Sequence, residues 1–220
     1  MKEARGAGRK AHEEAQGAGR KAQEGIKCWV GVVVLGTVLG GCGGGAAVRE
    51  SFYTLSAPAA GVSAGASTAA TSNVSIFVGP VSVPESVDRS QMVLRTGANE
   101  VEVSEKYRWA EPLKSAVPRV IAETLTRELG TQRVLTSRSA AALAVDYRVA
   151  IEVQRFDSSL TEGATIDALW TITPSAAKGG SVRTGRTRVT EAASGDPATL
   201  AAAHSRALDK VGRDIAAALR

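Results

Sequence analysis

Val145-Asp-Tyr-Arg-Val-Ala-Ile-Glu-Val-Gln154 alternates without a break: Val145, Tyr147, Val149, Ile151 and Val153 against Asp146, Arg148, Ala150, Glu152 and Gln154. Successive side chains of a strand point to opposite faces, so this is a strand with one buried and one wet face. The same period returns at Ile166, Ala168, Trp170 and Ile172. Lys178-Gly179-Gly180 then turns the chain into Val182 to Thr190, where Arg183, Arg186 and Arg188 sit among Thr and Gly. A strand so polar reads as a sheet edge, protected from unwanted pairing by its charge. Phosphate headgroups or an acidic partner are the other chemistry that three arginines could meet.

The period changes on both sides of this core. Asp196-Pro197 supplies an N-cap followed by proline at the first helical position. Leu200, His204, Ala207, Leu208, Val211, Ile215 and Leu219 then share one helical face. Upstream, Glu111-Pro112 opens a second helix with Leu113, Val117, Val120, Ile121, Thr124, Leu125 and Leu129 on one side, and Gly130 ends it. Pro118 must kink that helix, unless the regular part begins near Ser115. Arg133 to Thr136 is a short strand. Asn73 to Val83 reads as a strand broken at Gly79-Pro80. Met92 to Arg95 and Glu100 to Val103 form a pair around the turn Gly97-Ala98-Asn99, with Val101 and Val103 expected on the buried side. Two amphipathic helices and several one-sided strands predict an α+β fold: two layers, a largely antiparallel mixed sheet, both helices on one face.

The N-terminal part has a different character. Trp29 to Cys42 is an apolar run that follows Arg20, Lys21 and Lys27 and ends in Leu39-Gly40-Gly41-Cys42. Charged region, apolar core and small residues are the layout of a secretory signal. A spanning helix needs about 20 apolar residues, and this run is shorter and Gly-rich; a buried core helix would need a cap that is absent here. The ending resembles the bacterial lipobox, which implies cleavage before Cys42 and its acylation. Residues 1–41 are then a removed leader, 42–50 a Gly-rich tether and 51–220 one domain. Glu3 to Glu13 is duplicated at Glu14 to Glu24, a charged leader longer than a signal's basic region needs. A true translation start downstream of Met1 stays open. Ser51 to Leu55 is a short strand that pairs with the sheet across a Ser/Ala/Gly-rich loop at 56–72.

Processing at Cys42 removes seven of the 27 Lys and Arg and four of the 22 Asp and Glu, which leaves a net charge of +2 on 179 residues. No nucleic-acid footprint follows from that. Cys28 and His12 are removed too, leaving one lipidated cysteine and His204, expected near the core boundary. No cofactor is implied, and no zinc site, metal cluster or Cys-His pair can be assembled. Asp157-Ser158-Ser159 lacks the strand–turn–helix setting of a nucleophile elbow and reads as a loop. No enzyme is expected.

Val83-Pro84, Asp88-Arg-Ser-Gln-Met-Val93, Arg95, Gly97, Asn99 and Arg108-Trp-Ala-Glu-Pro-Leu113 together resemble the PqiC/YmbA family, lipoproteins also described as ABC-type transport auxiliary components. Phe52 to Leu55, Val153 to Asp157 and the Ala-rich final helix are also similar. The resemblance implies an outer-membrane lipoprotein that faces the periplasm, self-associates, and works with an MCE-domain protein and an inner-membrane permease in lipid transport and membrane integrity. Gly43 after the cysteine, where inner-membrane retention would call for Asp, points the same way. Within this block Asp88, Arg89, Arg95, Trp109 and Glu111 are the candidate site. Arg and Trp are enriched in interface hot spots; the alternative is an internal clasp in which Asp88 or Glu111 pairs an arginine and Trp109 plugs the sheet. A lipoprotein that itself binds a lipid or another apolar ligand between sheet and helices is the second functional reading.

Overall fold

The computed structural model describes residues 49–58, 73–136, 143–193 and 195–220. The leader, Cys42 and most of the 56–72 loop lie outside the described residues. The elements run β1 (Ser51–Tyr53), β2 (Ile76–Ser82), β3 (Gln91–Gly97), β4 (Glu100–Trp109), α1 (Leu113–Leu129), β5 (Val134–Leu135), β6 (Tyr147–Ser159), β7 (Gly163–Pro174), β8 (Arg183–Glu191) and α2 (Pro197–Leu219). This is an α+β fold with one mixed sheet of eight strands.

Strand β6 organises the sheet. Along one edge it pairs antiparallel with the whole of β7, which pairs antiparallel with β8. The other edge is shared: β2 runs parallel to its first half, and β3 meets it at Leu94 and Ser158. The hairpin β3–β4 continues outward, with β1 parallel to the end of β4. β8 is an edge strand, as its arginines suggested. The break at Gly79-Pro80 proves to be a cis peptide within a continuous β2, where the register with β6 shifts.

One face of the sheet carries the core. Val149, Ile151, Val153 and Phe156 of β6 and Ile166, Ala168, Trp170 and Ile172 of β7 belong to one buried cluster with both helices. At Asp196 the cap is made: its carboxylate accepts from the Ala198 and Thr199 backbone amides at 2.8 and 3.2 Å. Asp209 ties α2 to α1, accepting from Thr124 Oγ1 at 2.9 Å and pairing with Arg127 and Arg213. Gly212 lets the two helices approach: a Cβ there would lie 2.7 Å from Thr124 Cγ2. Gly185 does the same between strands, since a Cβ would lie 2.1 Å from the Trp170 ring.

Three sequence expectations need correction. Val101 and Val103 are 52% and 41% exposed, because they share the sheet face of their partners Arg95 and Val93, away from the helices. His204 is fully buried rather than at the boundary, since α2 lies directly over the end of β6. Asp157, Ser158 and Ser159 are the last residues of β6 and not a loop; Ser159 Oγ accepts from the Glu162 amide at 3.1 Å and so helps form the turn beyond. α1 starts at Leu113, as the Glu111-Pro112 opening predicted, with Pro118 buried inside it; the alternative start near Ser115 is not the one adopted.

Candidate functional site

A tight turn after β2 presents Asp88 and Arg89. Val87 is buried beneath it, and the Val87 amide donates to Pro84 O at 3.1 Å and the Arg89 amide to Val87 O at 2.8 Å. The chain leaving β4 is pinned on both sides. Trp109 N donates to Ser90 O at 2.7 Å, and Ala110 N donates to Tyr53 O at 2.8 Å. Trp109 to Pro112 therefore runs fixed between the turn and β1 before α1 begins. Between them lies a recess of about 260 Å³, lined by Arg89, Ser90, Trp109, Ala110 and Pro112 and flanked by Asp88 and Glu111.

Most of the candidate side chains act inward. Asp88 pairs with Lys114 at the start of α1. Glu111 pairs with Arg119, which also donates to Leu55 O at 2.7 Å and to Glu123 at 3.0 Å. This clasp holds the β1 segment, the β4–α1 junction and the second turn of α1 together. Trp109 is buried, edge-on to Phe156 at 5.9 Å and to His204 at 5.7 Å, while Phe156 and His204 stack at 4.0 Å. His204 Nε2 lies 2.8 Å from Ser158 Oγ. Burial pushes the imidazole down to about 3, against a smaller opposing pull from Asp157. It is neutral at ordinary pH, and this Ser–His pair is sealed inside the core with no side-chain partner for Nδ1 among the described residues. Arg89 is exposed, and no side-chain partner for it occurs among the described residues.

The five candidate residues do not form one surface. Arg95 donates to Asp157 at 3.0 Å and to the Gly97 and Ala98 carbonyls. Asp157 and Phe156 are neighbours in β6 and point to opposite faces. Arg95 thus lies on the sheet face opposite the one that Trp109 plugs. Burial works against the Asp157 charge, but hydrogen bonds from Arg95 and Arg155 outweigh it and hold its carboxyl below the ordinary range.

Sequence reading missed Asp167. Its side chain is 1% exposed on the helix-free face, and it accepts from Arg186 Nε and Nη2 at 2.7 Å and from Arg188 Nε at 2.9 Å. The Arg186 hydrogen bonds hold the carboxyl at about 2, against the opposing effect of burial and with further help from Arg188. The signal was present only as a polar residue within the alternation of β7; its partners depend on the register with β8.

Asp88, Arg95 and Glu111 each fasten one element to another, which defines the chain as an α+β scaffold domain. Sequence comparison carries that class to a family. The chain belongs to the ABC-type transport auxiliary lipoprotein components, whose family model matches residues 53–216. That is a family of transport accessory proteins. No curated protein matches the chain. A crystal structure of a Xanthomonas campestris protein is similar at a TM-score of 0.57 and 20% identity, over 76% of this chain and 93% of that one. A crystal structure of an uncharacterized protein is similar at 0.60 and 16% identity, over 78% and 99%. At these identities the two structures speak to the fold.

Proposed function

We propose that this protein is a lipid-anchored accessory subunit of an envelope lipid-transport system. It is held by acylated Cys42 in the outer membrane, faces the periplasm, self-associates, and docks onto an MCE-domain protein that works with an inner-membrane permease. The observation that carries this reading is the family match across nearly the whole described domain. Local geometry supports action by contact: the turn at Asp88 and the Trp109–Pro112 passage form a prebuilt recess, and Arg89 lines it with no side-chain partner among the described residues. Preformed surfaces bind without a large ordering cost. Docking is assigned to Arg89 and the recess; Asp88, Trp109 and Glu111 position them.

Two results test the reading. Cys42→Ala should abolish fatty-acid incorporation and release a soluble periplasmic protein; unchanged fractionation with the membrane refutes the anchor. Extraction of the anchored protein should bring down an MCE-domain protein, and its consistent absence refutes the transport role.

A further inference from the structure

The sheet face away from the helices carries a second constellation. Arg155, Asp167 and Arg188 are register neighbours across β6, β7 and β8, and Arg186 stands opposite Leu169 in the next row. The carboxylates of Asp157 and Asp167 are covered by the arginines that pair with them. The guanidinium-bearing side chains of Arg155, Arg186 and Arg188 are 47%, 55% and 60% exposed. Negative charge is thus turned inward and N–H donors outward, with Arg186 and Arg188 each using its Nε and Nη2 on Asp167.

Beside this cluster lies an open groove of about 620 Å³. Its floor is Val81, Ala150, Leu169 and Thr171, and Arg186 forms part of its wall. Small side chains at Ala150, Thr171 and Thr184 keep the floor low. On the opposite wall is Glu152, whose carboxylate accepts from Gln154 Nε2 at 2.6 Å. The volume is that of a small-molecule site, and the pattern of an apolar trough with a few placed polar groups is the usual one for such sites.

We infer that this face binds an anionic amphiphile, with the headgroup on the Arg186 and Arg188 guanidiniums and the hydrocarbon chain along the Val81–Leu169 groove. Guanidinium donors match carboxylate and phosphate oxygens, and the adjoining trough is too apolar for a bare anion to use. A protein partner would need roughly 800 Å² on each side. The exposed apolar side chains Val101 and Val103 on this face belong to the β3–β4 hairpin and do not line the groove. The inference does not rest on the docking reading. It also moves the ligand from the space between sheet and helices, which side chains fill, to the opposite side of the sheet.

The test uses the full chain carrying Cys42→Ala, titrated with a dansyl-labelled undecanoate and with its methyl ester. Saturable binding of the acid is expected, with the uncharged ester markedly weaker. Arg186→Gln, which leaves Arg188 on Asp167, should weaken the acid about tenfold, the effect of losing one charge-assisted contact. Ala150→Leu fills the floor without touching a charged group and should weaken acid and ester alike; an unchanged urea midpoint verifies its fold. Equal binding of acid and ester, wild-type affinity in both variants, or displacement by polyglutamate at matching affinity would each overturn the inference, the last in favour of an acidic protein segment.

Discussion

Replacing Gly185 by alanine should destabilise the domain through a single contact. Gly185 pairs with Trp170 in the β7–β8 ladder, and a Cβ there would lie 2.1, 2.3 and 2.7 Å from Cζ2, Cη2 and Cε2 of the indole. Carbon atoms pack best at about 3.5–4.0 Å, so the ring must retreat by roughly 1.5 Å. It is not free to do so. Trp170 Nε1 donates to Thr187 Oγ1 at 3.2 Å, and that hydroxyl donates to Asp214 Oδ2 at 2.6 Å. Overpacking costs about 1–3 kcal/mol, and disturbing the hydrogen bond adds about 1 kcal/mol. Alanine returns about 0.5–1 kcal/mol by restricting the unfolded chain. The net loss is therefore about 1–3.5 kcal/mol, or about 2–14 °C in Tm for a domain of this size. Urea unfolding followed by circular dichroism and tryptophan emission reads it. The pair is coupled, so Trp170→Leu should absorb most of the Gly185→Ala penalty in a double-mutant cycle. Stability within about 0.5 kcal/mol of wild type, with unshifted emission, would show that the ring does not occupy the space over Gly185.

Three further outcomes follow from the packing. The unfolded chain takes up a proton at His204 near pH 6.5, while burial holds the native imidazole near 3; stability should fall as pH drops through that window. His204→Gln should flatten the fall, and equal losses in both proteins between neutral and acid urea titrations would contradict it. Gly212→Ala gains about 1 kcal/mol of helix propensity but meets Thr124 Cγ2 at 2.7 Å; with overpacking at about 1–3 kcal/mol, thermal melts should show a net loss. The loss should shrink without vanishing in a Thr124→Ser background, which keeps the hydroxyl on Asp209 and removes the methyl group but leaves Thr124 Cβ 2.8 Å from the new Cβ. Asp196→Ala removes two capping hydrogen bonds from α2 and should cost about 1 kcal/mol, with Asp196→Asn close to wild type.

The sequence makes local elements legible and leaves their neighbours hidden. β6, β7 and α2 could be read because alternation, helical spacing and the Asp196-Pro197 cap all reside in contiguous residues. Val101 and Val103 show why this stops short of packing: alternation distinguishes two faces, but which one the helices cover is decided elsewhere in the chain. Ser158 looked like loop material because Asp-Ser-Ser is polar; His204, 46 positions away, is what lets it end a buried strand. The same reason hid Asp167, whose three hydrogen bonds come from β8. In the candidate site, the Asp88-to-Leu113 block was visible as a motif, and Glu111 with an arginine was foreseeable as a clasp. That Arg95 belongs to the opposite sheet face, and that Arg89 points outward with no side-chain partner among the described residues, follows from the three-dimensional arrangement around β3, β4 and β6.

Site-specific photo-crosslinking from position 89, in the anchored full-length protein within intact membranes, tests the docking claim most directly. An adduct with an MCE-domain protein from position 89, and none from the remote turn residue Gly179, is the expected result. Adducts confined to other copies of this chain, or equal adducts from both positions, would contradict it.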